Sequence, residues 1–325
     1  MFEGIVLDID DTLIKDDGNI SIEDSQYIFN LKQKGYQIIL ATGRNLDETL
    51  NIAEKLDITT PIILLQGSLI YYGLDESYQT ALSMKSISDV TKWCQDNRVN
   101  FRIVTKDGNY LIDSYKKLNN GFNREKILHI NVYFENNDEK KIFENFFEDR
   151  VDMMVRVHSD SAICMSICID KGLALRRVAT ELGWDLGKFI SIGNYPSDGN
   201  MFDETGYNIV IENKKELNKI KDVQLISNAS VSIALEELLS KVAAYQKVKY
   251  RKNLNFRIRN FGGTYYSIGE KEINKVSRLI FDLWRSIVDD VYITETLKSL
   301  TMYYNIFDVI EGLEYLINKT IIERR

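Results

Sequence analysis

The stretch that most limits what this chain can fold into lies at its start. Ile5-Val6-Leu7 is a short apolar, β-rich run, and Asp8-Ile9-Asp10-Asp11-Thr12-Leu13 follows without a break. Such a run reads as a strand buried on both faces, as in a parallel sheet covered by helices. Open α/β sheets bind their ligands beyond the carboxyl ends of such strands, so Asp8 and Asp10 leave the strand where chemistry is expected. Two carboxylates this close repel one another unless a cation or a shared proton compensates. A magnesium ion answers that need, because it takes hard oxygen ligands and only one or two carboxylates. Taken alone, the stretch fits equally well a strand end followed by a solvated acidic turn.

Further along, Ser21 with its following acids marks a helix start and Gly35 a stop. A second buried strand over 36–41 ends in Thr42-Gly43-Arg44, Asn45 can cap the next helix, and 61–65 is a third strand. This βαβαβ order predicts a parallel sheet with right-handed crossovers. Near Gly73 the rhythm changes. A helix over 86–97, a hairpin across Asp107-Gly108, a strand over 126–134, an acidic helix over 138–148 and strands over 151–157 and 162–169 describe an inserted α+β unit. The α/β rhythm then resumes with a helix over 172–182, a strand over 189–192 leading into Gly193-Asn194, short strands over 208–211 and 223–226, and a closing helix over 231–242. The expectation is an α/β, Rossmann-like core over 1–77 and 162–244 with an α+β cap over 78–161.

Composition narrows the class. The 325 residues suggest two or three domains, and 44% hydrophobic with 27% charged residues is ordinary for a globular protein. No apolar run approaches the ~18 residues that span a bilayer, and no secretory signal pattern opens the chain, so a cytoplasmic protein is expected. Cys94, Cys164 and Cys168 are expected to be buried thiols in a reducing compartment, and His129 and His158 to be structural. A net charge of −7 argues against a general nucleic-acid binder.

Four short stretches each leave a predicted strand or begin a helix: Asp8-x-Asp10-x-Thr12, Thr42 with Gly43, Lys171 with Gly172, and Gly193-Asn194-x-x-x-Asp198. In this order they resemble the haloacid dehalogenase superfamily of phosphohydrolases. Ala41-Thr42-Gly43-Arg44, Leu65-Gln66-Gly67-Ser68, Lys171-Gly172-x-Ala174-Leu175 and Asp198-Gly199-Asn200-Met201 resemble its Cof-type branch, whose α+β cap lies between the second and third motifs. The resemblance covers residues 1 to 242 and implies a magnesium-dependent phosphatase. By it, Asp8 is the nucleophile that forms an aspartyl phosphate, and Asp10 is the acid and then the base. Thr42 and the amide of Gly43 hold phosphoryl oxygens, and Lys171 neutralises charge. Arg44 is either another phosphate contact or a solvated helix-start residue. The metal set is the Asp8 carboxylate, the Asp10 carbonyl, Asn194 and Asp198. Two residues depart from the pattern: the family has aspartate where this chain has Asn194, and asparagine where it has Ser197. Lower magnesium affinity is expected, and a domain that binds a phosphorylated ligand without turnover is the alternative. Arg102, Arg124 and Arg156 are candidate substrate contacts of the cap, each with surface charge as the plainer account.

Beyond the core, six Lys or Arg residues and no acid lie between Lys247 and Arg259. A basic linker is expected over 245–254, then a hairpin across Gly262-Gly263 and three helices from about Glu272, Thr294 and Phe307. This order fits a winged helix-turn-helix. Gly262-Gly263-Thr264-Tyr265-Tyr266, Glu272-Ile273-Asn274 and Ile280-Phe281-Asp282-Leu283-Trp284 resemble PqqD-like domains, the recognition elements of ribosomal peptide modification pathways. That resemblance implies a peptide-binding domain over 255–325 that takes a leader peptide as an added strand, in a groove beside Phe307, Ile310 and Leu313. The substrate would then be a phosphorylated peptide or a phosphorylated intermediate of its modification. The alternatives are a small-molecule, sugar-phosphate type of phosphatase, or a silent phosphate-binding module joined to a DNA-binding winged helix.

Overall fold

Strand β1, Gly4–Leu7, is buried along its whole length, as its uninterrupted apolar run requires. In the computed structural model the described residues are 2–15, 18–73, 76–112, 126–194, 198–211, 225–226, 230–246, 248–253, 255–269, 273–289, 292–301, 303–304 and 306–324. Arg124, Ser197, Val223, Lys247 and Glu272, all within stretches singled out in the sequence, lie outside them. Helix α1, Ile22–Gln33, is capped by the Ser21 side chain, which accepts from the Asp24 amide. Strand β2, Gln37–Leu40, precedes helix α2, Leu46–Lys55, where Asn45 and Glu48 close a capping box. Strands β3, Ile62–Leu64, β4, Leu69–Gly73, and β5, Glu76–Gln79, form a small antiparallel sheet.

The cap follows as helix α3, Met84–Asn97, strands β6, Asn100–Thr105, β7, Gly108–Ile112, and β8, Ile127–Tyr133, helix α4, Asn137–Phe147, and strands β9, Met153–Val157, and β10, Ser161–Ser166. Its five strands run antiparallel in the order β7-β6-β8-β10-β9. One sheet face packs Ile103, Ile130 and Cys164 against Trp93, Phe143 and Phe147 of the two helices. Cys94 and Cys164 are buried as expected, whereas Cys168 is exposed, because it lies in the turn after β10.

The chain returns to the core as helix α5, Lys171–Leu182, strand β11, Phe189–Gly193, the short helix α6, Gly199–Phe202, and strands β12, Tyr207–Val210, and β13, Leu225–Ile226. The core sheet is parallel, in the order β13-β12-β11-β1-β2. Leu7 aligns with Leu40 on one side and Ile192 on the other, so three strands end level. The loops that follow β1, β2 and β11 therefore open on one edge, at the point where strand order reverses.

The chain divides into two compact units, Gly4–Asn228 and Met1–Glu3 with Ala229–Arg325. The second begins with helix α7, Val231–Gln246, expected to close the core and to stop at 242. The basic linker expected over 245–254 is not one. Helix α7 runs to Gln246, and strand β14, Tyr250–Lys252, pairs with a C-terminal strand (Ile322–Arg324) around a buried Tyr250. A pairing between segments so far apart leaves no local signal. Strands β15, Arg257–Phe261, and β16, Thr264–Ile268, form the expected hairpin. The helix expected from about Glu272 is instead strand β17, Ile273–Val276, which takes the free edge of β16; helix α8, Arg278–Ser286, starts only after the Ser277 cap. Helices α9, Thr294–Leu300, and α10, Ile306–Asn318, complete the unit before that C-terminal strand, β18. Ile310 and Leu313 are fully buried, so they line no open groove. Among the described residues no helix is long and apolar enough to cross a membrane.

Cap and core meet at a buried histidine. His129 of β8 lies 2.7 Å from the Ser68 hydroxyl. Burial pushes its imidazole pKa down to about 4; the Leu65 backbone opposes that shift and the Arg156 charge adds to it. A folded-state value below the ordinary 6.5 contributes stability that is present above pH 6.5 and is lost as the pH falls through about 4. By pH 4.5 the loss is about 2.5 kcal/mol. His129→Gln keeps a polar partner for Ser68 and does not titrate. Thermal melts at pH 7 and pH 4.5 are expected to differ less for this variant than for the parent, and equal differences would show that His129 does not set the acid limb.

Candidate active site

Asp8 is the first residue past β1, and its amide donates to the Ile192 carbonyl. Its carboxylate is 4% exposed. Lys171 Nζ donates to Oδ1 at 2.7 Å, and the Thr12 hydroxyl donates to Oδ2 at 3.1 Å. Lys171 opens α5 and also donates to Asp198 Oδ1 at 2.7 Å. This geometry depends on Gly172: a Cβ there would sit 2.1 Å from the Asn200 carbonyl, so only glycine lets the starts of α5 and α6 come this close. Burial opposes the charge of Lys171, but Asp198 and Asp8 outweigh it and hold the ammonium above the ordinary lysine value. For Asp198 the balance tips the other way. Burial lifts its carboxyl to about 6 against the pull of Lys171, and the Asp8 charge adds to the rise.

The loop after β2 supplies the next groups. Thr42 is fully buried, and its hydroxyl accepts from the Arg44 amide at 3.1 Å. Gly43 is exposed, and Gln66 Nε2 lies 2.6 Å from where its Cβ would be. Arg44 donates to Asp10 through Nε at 3.0 and 3.2 Å and through Nη2 at 2.6 Å. That two-pronged pair raises the Arg44 pKa and settles its placement: in this state it holds the exposed Asp10 carboxylate.

Asn194 reaches across from the end of β11. Its backbone amide donates to Asp198 Oδ2 at 2.8 Å, and its side-chain Nδ2 donates to the Asp10 carbonyl at 2.8 Å. Among the described residues no group of three or more His, Cys, Asp or Glu could hold a metal ion. With the Asn194 amide turned over, the Asp8 carboxylate, the Asp10 carbonyl and Asn194 Oδ1 could hold a hard cation through oxygen alone, with Asp198 behind Asn194. The sequence therefore brings Asp8, Asp10, Thr42, Gly43, Arg44, Lys171, Asn194 and Asp198 to one edge. Arg102 stacks on Tyr133 and has no contact with that set, whereas Arg156 donates to Gln66 Oε1 at 3.0 Å. Thr12 and Gln66 were not assigned roles from the sequence. Thr12 carried a signal as the last member of the aspartate motif, and Gln66 carried none beyond its turn.

A family model for haloacid dehalogenase-like hydrolases matches residues 5–237. The chain belongs to the haloacid dehalogenase-like hydrolases. It is a phosphatase of that superfamily. The phosphatase YwpJ of Bacillus subtilis is 20% identical over 275 residues, covering 71% of this chain and 96% of that one. The 5-amino-6-(5-phospho-D-ribitylamino)uracil phosphatase YitU of the same organism is 32% identical over 94 residues, 27% of this chain and 35% of the relative. A haloacid dehalogenase-like hydrolase structure from B. subtilis superposes with a TM-score of 0.64 at 17% identity over 73% of this chain and 99% of that one. The family model ends at residue 237, before the segment that carries the PqqD-like resemblance.

Asn194→Asp tests the oxygen set in this hydrolase. A carboxylate facing the Asp10 carbonyl without a cation is repulsive, and magnesium relieves it. The variant is expected to melt lower than the parent in chelator, to gain more on adding magnesium, and to bind it more tightly in calorimetry. Unchanged magnesium affinity would place Asn194 outside the metal set.

Proposed function

We propose that this protein is a magnesium-dependent phosphomonoesterase that acts on a small phosphorylated metabolite through an aspartyl phosphate on Asp8. The carrying observation is the Asp8 carboxylate itself, buried at the strand end with Lys171 and Thr12 fixing both oxygens. YitU is named for a small phosphomonoester, which supports a small ester over the phosphorylated peptide expected from the sequence.

Asp8 is pre-oriented rather than swinging into place, so an oxygen can meet phosphorus in line. Attack forms the bond from Asp8 oxygen to phosphorus and breaks the bond from phosphorus to the leaving oxygen, which takes a proton from Asp10. Water then attacks the aspartyl phosphate, giving its proton to Asp10 and releasing phosphate and the Asp8 carboxylate. Lys171 and the Gly43 amide offset the charge on the phosphoryl oxygens. A magnesium ion held by the oxygen set supplies further positive charge there. In the resting site Arg44 holds the Asp10 carboxylate through its two-pronged contact. Phosphoryl oxygens competing for Arg44 free Asp10 to carry the proton in the first step.

Asp8→Asn is nearly isosteric and a poor nucleophile, so it is expected to abolish phosphate release from a panel of sugar and acid phosphates while the protein stays folded. Asp10→Asn is expected to slow turnover by about a hundred-fold or more. Substantial turnover by Asp8→Asn, with contaminating phosphatase excluded, overturns the nucleophile assignment.

For the C-terminal unit we propose peptide binding by strand addition. Among the described residues strand β15 pairs on one side only, with β16, and it carries an exposed Phe261 between basic residues and the Gly262-Gly263 turn. An open edge of this kind is a docking site for an added strand. Hydrogen exchange of the full chain with candidate leader peptides and with duplex DNA is the test. Protection along Arg257–Phe261 with peptide supports the reading, and protection with DNA alone refutes it.

A further inference from the structure

Successive residues of a strand point to opposite faces, and the cap sheet uses this to separate two chemistries. Ile103, Ile130 and Cys164 face the cap helices. Their neighbours face the other way, and the register aligns them in rows: Arg102 opposite Asn131, Asn131 opposite Ile163, and Ile163 opposite Arg156. His129 lies on the adjacent row of that same face and Arg156 at its β9 end. Both touch the Leu65–Gly67 turn and Ser68 of the core, His129 through Ser68 and Arg156 through Gln66. This face, on which Arg102, Asn131, His129 and Arg156 lie among Val104, Ile163 and Met165, therefore looks onto the active-site edge.

Two groups on it are incompletely used. Asn131 Oδ1 is buried and has no hydrogen-bond partner. Arg156 is half-buried and spends one contact on a neutral amide, with no carboxylate within ion-pair reach among the described residues. Burial pulls its guanidinium below the ordinary arginine value, although Asp170 and Asp198 are near enough to oppose the shift. A half-buried guanidinium whose nearby carboxylates lie beyond ion-pair reach is only partly compensated, and a buried acceptor without a donor costs about 1–3 kcal/mol. Sites built this way are completed by what binds them.

We propose that Arg156 receives a second anionic group, a carboxylate or a phosphate, on the leaving group of the phosphomonoester, while Asn131 accepts from a neighbouring hydroxyl or N–H. This rests on the phosphatase function above and names its substrate class. Gln66 sets the spacing: its Nε2 crowds Gly43 in the phosphoryl loop while its Oε1 takes Arg156. The two anionic ends of the substrate are thus separated by roughly one side chain's length. A planar fork recognises such an oxyanion bidentately, and a neutral ester leaves the guanidinium unpaired, which is the stronger source of discrimination.

The test compares 3-phosphoglycerate with glycerol 3-phosphate, which differ only in a carboxylate against a hydroxymethyl group. With the full chain and magnesium, the kcat/KM ratio of the two is expected to favour the acid about tenfold or more. Arg156→Gln is expected to cut that ratio about tenfold, mostly through KM, and Arg156→Lys to lie between, because it keeps the charge and loses the fork. Circular dichroism checks folding, and the lysine variant carries the test if the glutamine variant does not fold. No preference in the parent, or a ratio unmoved in both variants, overturns the proposal. If the parent releases phosphate neither from these esters nor from the panel above, the proposed function fails separately. Calorimetric binding of the two esters to parent and variants then decides, and equal binding of both esters by the parent overturns it.

Discussion

Everything at this site hangs on one buried cation. Lys171 is 2% exposed and lies 2.7 Å from Asp8 and from Asp198, which are 4% and 0% exposed. None of the three charges is tolerable alone in that position: removing one partner of such a pair costs about 3–5 kcal/mol, because the other is left uncompensated. The lysine therefore fixes the Asp8 carboxylate, and the starts of α5 and α6 must come together to keep it there. The apolar packing of Ala174, Leu175, Val178, Met201 and Phe202 against the sheet holds those helix starts in place, so the core's hydrophobic burial is what keeps a strained set of charges together.

A second element transmits the cap's position to this set. The turn from Leu65 to Ser68 has left-handed backbone at Leu65, Gln66 and Gly67. Its amides donate into the phosphoryl loop, Leu65 to the Arg44 carbonyl and Gln66 to the Thr42 carbonyl. At Gly67 a Cβ would lie 2.3 Å from the Asp170 carbonyl, directly before Lys171. The same turn takes His129 and Arg156 from the cap. Core loop, lysine helix and cap sheet thus share one four-residue support, joined to the Thr42 loop by backbone hydrogen bonds and to the cap by side-chain contacts.

What was legible in the sequence follows from locality. Apolar runs, Ser and Asn caps and the Gly stops report on residues a few positions away, so β1, α1, α2, α5 and the insertion were all readable. The residues singled out by motif share one edge because they sit at strand ends and helix starts, where the fold rather than the pattern brings them together. Pairings between distant segments were not. Tyr250–Lys252 reads as a basic linker until Ile322–Arg324 lies beside it, and Ile273–Val276 reads as a helix start until β16 offers an edge. Gln66 and Asn131 were invisible for the same reason: a polar residue announces a role only when its partner, or the lack of one, is known.

Asn194 can be understood through the charge of the whole site. Asp10 is matched by Arg44, and Lys171 matches one of Asp8 and Asp198, so the protein contributes about one net negative charge. Aspartate at 194 would double it. That would tighten a divalent cation, yet it would leave the loaded site neutral toward a dianionic phosphoryl group. With asparagine the loaded site is net positive, which attracts the phosphoryl group at the expense of metal affinity. A second anion on the substrate, received by Arg156 as proposed, would add to the same attraction. In a magnesium-loaded site the exchange of aspartate for asparagine would therefore move electrostatic attraction from the metal to the substrate, in the direction that an anionic ester requires.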